Sequence, residues 1–305
     1  MSQDAGAEAP FRLSEFADLS GLRVVRDGPF RVTGKLSTPL DGLCVPLRSA
    51  AYLDEVNANA RVTAVITTAE LADGVSDRFA VAVAERPADL HAEIHVLCAE
   101  RRAEALKAVV NVIHPSARID PDARIAAYGV VIGADVRVLA GATVEPATTL
   151  DEGCVIHPGV VLGGPGFNVG MIRGRQRILP QLGGVHLKPF VELLGNTTVA
   201  RASFGGATVI GEETVTDNLV YIAHDCQIGR QVQICANATI LGRAIIGDGA
   251  YIGPAATIVN GATVGAKAKV TMGATVTRDV EPGSVVTGNF AVPHETFLAN
   301  LRRMR

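Results

Sequence analysis

Between Ile210 and Val280 a large apolar residue returns at every sixth position: Ile210, Ile222, Ile228, Ile234, Ile240, Ile246, Ile252, Ile258, Val264, Val270 and Val276, with Thr216 as the one break. Two residues before each sits something smaller, from Thr208 and Thr214 through Cys226 to Ala238, Ala244, Ala250 and Ala274. Six residues turn an α-helix through about 600°, so a helix cannot keep such positions on one face. A single flat strand keeps the parity but would have to run about seventy residues without a turn, far beyond ordinary strand lengths. The pattern therefore predicts a coiled parallel β-solenoid, three six-residue faces to a coil, with the large aliphatics inside and the small residues at the corners.

The same period starts earlier. Ile113, Ile119 and Ile125 share one frame, and one inserted residue moves it to Ile132, Val138, Val144, Leu150, Ile156 and Leu162. A Gly-rich, basic interruption follows over 163–184, with Gly163-Gly164-Pro165-Gly166-Phe167-Asn168 and then Arg173, Arg175 and Arg177. A solenoid tolerates an insertion of this length by looping it out of a corner, and long loops in compact domains are commonly functional. The frame is expected to resume at Val185 and Val191 and to end near Val286.

Residues 11–110 lack the hexads and read as a small α/β domain. Leu22–Val25, Thr63–Thr67, Phe79–Ala84 and Glu93–Leu97 are β-prone runs, whereas Ala51–Asn59, Ala69–Ala72 and Ala99–Val109 have helical composition. The expected division is thus a disordered tail (1–10), an α/β domain (11–110), a β-helix domain (111–288) with its insertion, and a C-terminal helix (289–305) covering the open end. On that last helix Phe297 and Leu301 share a face, and Arg302, Arg303 and Arg305 close the chain, either as a patch for an acidic protein or as a solvated helix end.

Composition changes this picture little. Hydrophobic residues make up 48% but aromatics only 4%, which suits a narrow core of Ile, Val and Ala. The net charge of −3 gives no basic field for nucleic acid. Neither a membrane-spanning run nor a signal-peptide pattern is present, so a cytoplasmic protein is expected. The five cysteines lack metal-ligand spacing and read as small core residues in a reducing compartment.

Candidate chemistry centres on His224, in Tyr221-Ile222-Ala223-His224-Asp225-Cys226. Gly242 follows eighteen residues later, one full coil, and should stack about 4.8 Å away. A histidine facing a glycine N–H offers a general base and an oxyanion donor, the minimum for acyl transfer. From spacing alone a polar surface histidine on a β face fits equally well.

On these residues the chain resembles the UDP-3-O-(3-hydroxyacyl)glucosamine N-acyltransferases of lipid A biosynthesis, over about 11–293. The resemblance rests on the N-terminal domain, on Gly166-Phe167 in the insertion, and on Ile178-Leu179-Pro180-Gln181. It rests also on Ile222-Ala223-His224, with the glycine one coil on. It implies a mainly β protein, a left-handed parallel β-helix assembled as a homotrimer with active clefts between subunits, and a uridine-binding N-terminal domain. By the same resemblance His224 takes a proton from the amine of a UDP-linked amino sugar and Gly242 holds the oxyanion. Tyr52 stacks on uracil, Phe167 and Asn168 border the sugar-nucleotide cleft, and Asp225 belongs to the substrate region. The acyl donor is acyl carrier protein or, alternatively, an acyl-CoA; no metal or other cofactor is expected. The basic loop over 173–177 would then meet diphosphate or an acidic carrier, or stand as a solvated charge cluster.

The chain also departs from that family. Its second histidine corresponds to Ala262 in Asn260-Gly261-Ala262, its Asp-Arg-Gly segment to Ala200-Arg201-Ala202, and the aromatic paired with Tyr52 to Val45 or Pro46. The family's longer C-terminal helical tail has no counterpart before Arg305, and His224-Asp225-Cys226 is closer to the sister O-acyltransferases acting on UDP-N-acetylglucosamine. Three classes therefore stay open: an N-acyltransferase, with an acetyl-CoA-dependent N-acetyltransferase as its close variant; an O-acyltransferase; and a non-catalytic β-helix that binds a sugar nucleotide.

Overall fold

A computed structural model describes residues 10–288 and 293–303. Short strands stack into three parallel sheets, with eight, nine and eight strands among the described residues, that form the faces of one coil. The first face runs from Val112–Ile113 to Thr263–Val264, the second from Arg118–Ile119 to Val285–Val286, and the third from Arg124–Ile125 to Thr275–Val276. Successive coils pair in strict register, Ile210 over Ile228 over Ile246 on the first face and Ile222 over Ile240 over Ile258 on the third. These aliphatics and the small residues before them are buried in one continuous core.

Corners explain the small residues. At most corners the residue just before the small one has positive φ, as at Leu219, Asp225, Gln231, Asn237, Arg243 and Gly249. This left-handed residue turns the chain, and the following Ala, Cys or Val points inward beside the aliphatic stack. Thr216, the break in the aliphatic series, is buried against the Thr197 hydroxyl at 3.2 Å, and Thr197 also donates to the Asp217 carbonyl. Four cysteines are buried and Cys235 is half-buried. Burial pushes the thiols of Cys98, Cys154 and Cys226 up to about 12, so they stay protonated.

The corners are not equivalent. Between the first and second faces, and between the second and third, the connections keep one length throughout, as at 211–214 and 217–220. Every departure from the hexad falls at the corner joining the third face to the first: the extra residue over 126–132, the insertion at 165–183, the longer connection at 201–206, and the shortened step from Val276 to Val280.

Three expectations change. The coil resumes on Leu187, Leu193 and Val199, which pair with Leu150, Ile156 and Leu162 below; Val185 and Val191 occupy the inward positions normally held by small residues. The interruption is not an open loop. Val169–Ile172 and Arg175–Ile178 form an antiparallel hairpin turned at Arg173 and Gly174, and it packs on the N-terminal domain. Finally, Glu93–Leu97 is helical, inside one helix from Pro87 to Lys107. Pro87 at its first position and Asp89 in its first turn favour that start, and His91, Ile94, His95 and Cys98 recur on the buried face.

That helix covers a five-stranded sheet of Arg23–Arg26, Ala80–Val83, Val62–Thr67, Leu43–Pro46 and Val32–Thr33, in that order. The domain docks on the irregular corner of the coil: Phe204 and Leu182 join its Val32, Leu43 and Val45 core, and Leu106 lies against Gly129. At the other end His294–Arg303 is helical, with Leu298 and Leu301 half-buried, and no described side chain of it is buried. The expectations for the Phe297 side chain, Arg305 and the first nine residues lie outside the described residues. No helix among the described residues is long and apolar enough to cross a membrane.

Candidate active site

His224 and Asp225 are the two turn residues of the irregular corner, after the strand Tyr221–Ile222 and before Gln227–Ile228. The same corner one coil on is Gly242-Arg243, and the Arg243 N–H donates to the His224 carbonyl at 2.9 Å. The imidazole lies directly on Gly242: a Cβ there would come within 2.6 Å of Cε1 and 2.7 Å of Nε2. On its other side lies Gly166, brought back by the insertion, where a Cβ would meet His224 Cβ and Cδ2 at 3.0 Å. Two glycine backbones therefore hold the ring between them, and no other residue type fits without displacing it.

The ring is oriented as well as confined. His224 Nδ1 is 2.7 Å from Asp225 Oδ2. A carboxylate only accepts, which assigns the proton to Nδ1 and leaves the Nε2 lone pair free beside Gly242. Asp225 is itself fixed: its Oδ1 accepts from the Ser203 N–H at 2.9 Å, and its own N–H donates to Thr208 Oγ1 at 2.9 Å. Its φ of 62° is the corner conformation, which Asp tolerates better than most residues. The Gly242 N–H makes no hydrogen bond among the described residues, as is also true of His224 and Asn260 at the equivalent turn position.

Gln181 closes the insertion onto this corner. Its Oε1 accepts from the Gly166 N–H at 2.6 Å and its Nε2 donates to the Gly166 carbonyl at 2.8 Å. Lys35 of the N-terminal domain stands close enough to feel both neighbouring charges. Loss of water and the Arg243 cation lower its pKa, while Asp225 acts to raise it.

A corner histidine caged by glycines on a hexad coil can be placed among known proteins. The family described as bacterial transferase hexapeptide (six repeats) matches residues 129–164 and 207–242. Curated relatives bear the name UDP-3-O-acylglucosamine N-acyltransferase. That of Herminiimonas arsenicoxydans is 29% identical over 279 residues, covering 80% of this chain and 78% of the relative. That of Methylorubrum extorquens is 33% identical over 162 residues (53% and 46%), and that of Methylacidiphilum infernorum 47% identical over 137 residues (45% and 39%). These relatives and the hexapeptide match support a likeness to the UDP-3-O-acylglucosamine N-acyltransferase family, within the hexapeptide-repeat superfamily. Against the first relatives the match spans less than half of their length, 46% and 42%. Among solved structures, the UDP-N-acetylglucosamine acyltransferase of Francisella novicida superposes with a TM-score of 0.50 at 20% identity, covering 63% of this chain and 72% of that one. It shares the fold, a left-handed parallel β-helix.

Against the family pattern, the structure gathers His224, Asp225 and Gly242 at one point and ties Asn168 to it through the insertion: the Asn168 N–H donates to the Gly166 carbonyl at 3.2 Å. Asn168 Nδ2 and Ser203 Oγ are buried there with no protein partner. Phe167, next to Gly166, projects outward, 77% exposed. Tyr52 stands apart on the N-terminal domain, in the single turn Ala50–Tyr52, 55% exposed, and its side chain makes no hydrogen bond or ring contact among the described residues. Val45 is buried in that domain's core, so it offers no opposing face to Tyr52. Ala262, in place of the family's second histidine, points into the coil as one more small corner residue. Arg201, from the altered acidic segment, is drawn inward to donate to the Gly163 and Pro146 carbonyls, and burial lowers its pKa. Ser203 and Lys35 carry no signal in the sequence that marks them as neighbours of His224. Gly166 and Gln181 entered the reading only through the family resemblance, which did not place them against the His224 ring.

Proposed function

We propose that this chain transfers an acyl group, 3-hydroxyacyl in the first instance, from acyl carrier protein to the amino group of a UDP-linked amino sugar. The observation that carries this reading is the His224 imidazole, held between Gly166 and Gly242 with Nδ1 on Asp225 and Nε2 free. In this scheme Nε2 takes the proton as the amine attacks the thioester carbonyl. The C–N bond forms, and the oxyanion takes the unspent N–H of Gly242. Collapse breaks the C–S bond, and His224 returns its proton to the departing thiolate. Asp225 stabilises the imidazolium formed between these steps.

Tyr52 is assigned to the uracil ring, and Phe167 and Asn168 to the walls of the sugar-nucleotide cleft. The outer faces of the coil carry exposed Val215 and Ile245, and assembly as a homotrimer would cover such positions and complete each cleft with a neighbouring subunit. The setting is the cytoplasm, where carrier protein and coenzyme A thioesters are both at hand.

The test is a donor–acceptor screen read by mass spectrometry, crossing 3-hydroxyacyl carrier protein and acetyl-CoA with UDP-3-O-acylglucosamine, UDP-N-acetylglucosamine and other nucleotide amino sugars. The expected result is an amide product lost by about 10²–10⁴-fold in His224→Ala, the usual worth of a general base. An ester product would make it an O-acyltransferase. UDP-sugar binding with no product from any pair would make it a binding protein.

A further inference from the structure

The insertion reaches the active corner from one side and the N-terminal domain from the other, and the two meet at a single buried side chain. His95 lies on the inner face of the helix Pro87–Lys107 and is fully buried. Its Nε2 is 2.7 Å from the Pro180 carbonyl, and its Nδ1 is 2.6 Å from Thr33 Oγ1 on the outer strand of the N-terminal sheet. A carbonyl only accepts, so Nε2 carries the proton, Nδ1 is the acceptor, and the Thr33 hydroxyl donates to it. Both ring nitrogens are thereby used, one on each part of the molecule. The Phe204 ring meets His95 edge-on, with centroids 5.3 Å apart, and blocks the remaining direction of movement. Burial lowers the His95 pKa, with the Arg102 cation adding to the effect, so the neutral ring that this pattern needs persists at ordinary pH.

Pro180 is followed by Gln181, whose amide makes both hydrogen bonds to Gly166, and Gly166 is the wall on which the His224 ring rests. We propose that His95 is a positioning residue: acting through Pro180, Gln181 and Gly166, it fixes the His224 imidazole and makes that position depend on the docking of the N-terminal domain. The inference rests on the reading of His224 as the base. It assigns His95 no contact with substrate.

The two ring nitrogens can be removed separately. In His95→Gln the amide nitrogen reaches about where Nε2 stood and keeps the bond to Pro180. In His95→Asn the shorter side chain reaches only the Nδ1 place, keeping Thr33 and losing Pro180. Each variant forfeits one buried hydrogen bond, so a purely structural role predicts similar losses of melting temperature and of activity in both. Positioning predicts a split: kcat falls about 100-fold in His95→Asn, the scale of an ångström-level misplacement, with KM for the nucleotide sugar little changed, while His95→Gln stays near wild type.

The rate at which diethyl pyrocarbonate modifies His224, followed by peptide mass mapping on the full chain, gives a readout independent of turnover. It should rise in His95→Asn and stay at the wild-type value in His95→Gln. Gln181→Met, which cuts the link at the half-buried loop without touching the domain core, should behave like His95→Asn and serves if that variant does not fold. Equal behaviour of the two His95 variants, or wild-type modification and kcat in Gln181→Met, would overturn the proposal. If the wild type acylates nothing in any pairing, the acyltransferase reading fails, and the modification rates alone decide whether His95 positions His224.

Discussion

Gly229 and Gly242 occupy corners of one coil, and the difference between them separates what holds this protein up from what it does. A Cβ on Gly229, at a regular corner, would meet the Asp248 carboxylate at 2.5 Å and also the next coil itself, 2.7 Å from the Asp248 nitrogen and 2.9 Å from the Gly247 carbonyl carbon. A Cβ on Gly242, at the irregular corner, would meet the His224 ring and no nearer backbone. Glycine at the first place lets coils stack at strand spacing; at the second it makes room for a side chain. Glycines elsewhere also make room for a side chain, as Gly153 does for Phe190 and Gly159 for Asn196, but at the edge where the third face turns into the first the side chain is a histidine, and there the insertion, the long connection at 201–206 and the N-terminal domain also converge.

Substitutions can sharpen that contrast. The largest effect is expected from Gly242→Ala, whose methyl group displaces the imidazole. Its kcat should fall by about 10²–10³-fold, comparable to losing one oxyanion donor, while the melting temperature barely moves because the ring can swing outward. Steady-state rates beside a thermal melt decide the matter, and an active Gly242→Ala would remove the ring–glycine contact from the mechanism. Gly229→Ala should show the reverse. Backbone cannot yield as a side chain can, so about 1–3 kcal/mol of stability should be lost in urea titrations, with little change in kcat for the protein that remains folded. A Gly229→Ala variant as stable as wild type would mean that the stack is looser than its register implies.

A smaller effect concerns pH. Burial, with His95 and Lys35 adding to it, lowers the His91 pKa to about 3, although the His91 Nε2–H donates to the Cys44 carbonyl at 3.0 Å, which acts to raise it. Unfolded, the same group titrates near 6.5, so between those values the unfolded chain binds the extra proton. Stability should therefore be full above about pH 6.5 and fall by about 1.4 kcal/mol for each pH unit below it, for this one group. His91→Gln should flatten that limb in denaturation series run from pH 7 to pH 4, and an unchanged slope would assign the acid sensitivity elsewhere.

Much of this division was open to a reader of the chain. The hexads declare the coil because each large aliphatic is preceded by an alanine or another small residue, which leaves one choice of frame. Around Val185-His186-Leu187 and Val191-Glu192-Leu193 both positions are large, so two frames compete, and the reading settled two residues early. Glu93–Leu97 misled through Ile94 and Val96; their β preference is local, whereas the buried stripe of a long helix emerges only over several turns. His224 and Gly242 were legible as neighbours because the coil converts eighteen residues into one strand spacing. Gly166 and Gln181 were not, since their place depends on where a hairpin folds back, and no period in the sequence encodes that path.

The buried pair of threonines has a consequence for how such a chain finds its fold. Coils that resemble one another invite a slip by a whole turn, because isoleucine laid over isoleucine is satisfied in either alignment. A slip would lay Thr216 among aliphatic neighbours and strand its hydroxyl, an error costing about 1–3 kcal/mol. The two hydroxyls thus act as a proofreading mark on an otherwise uniform thread, set just before the most repetitive stretch of the chain.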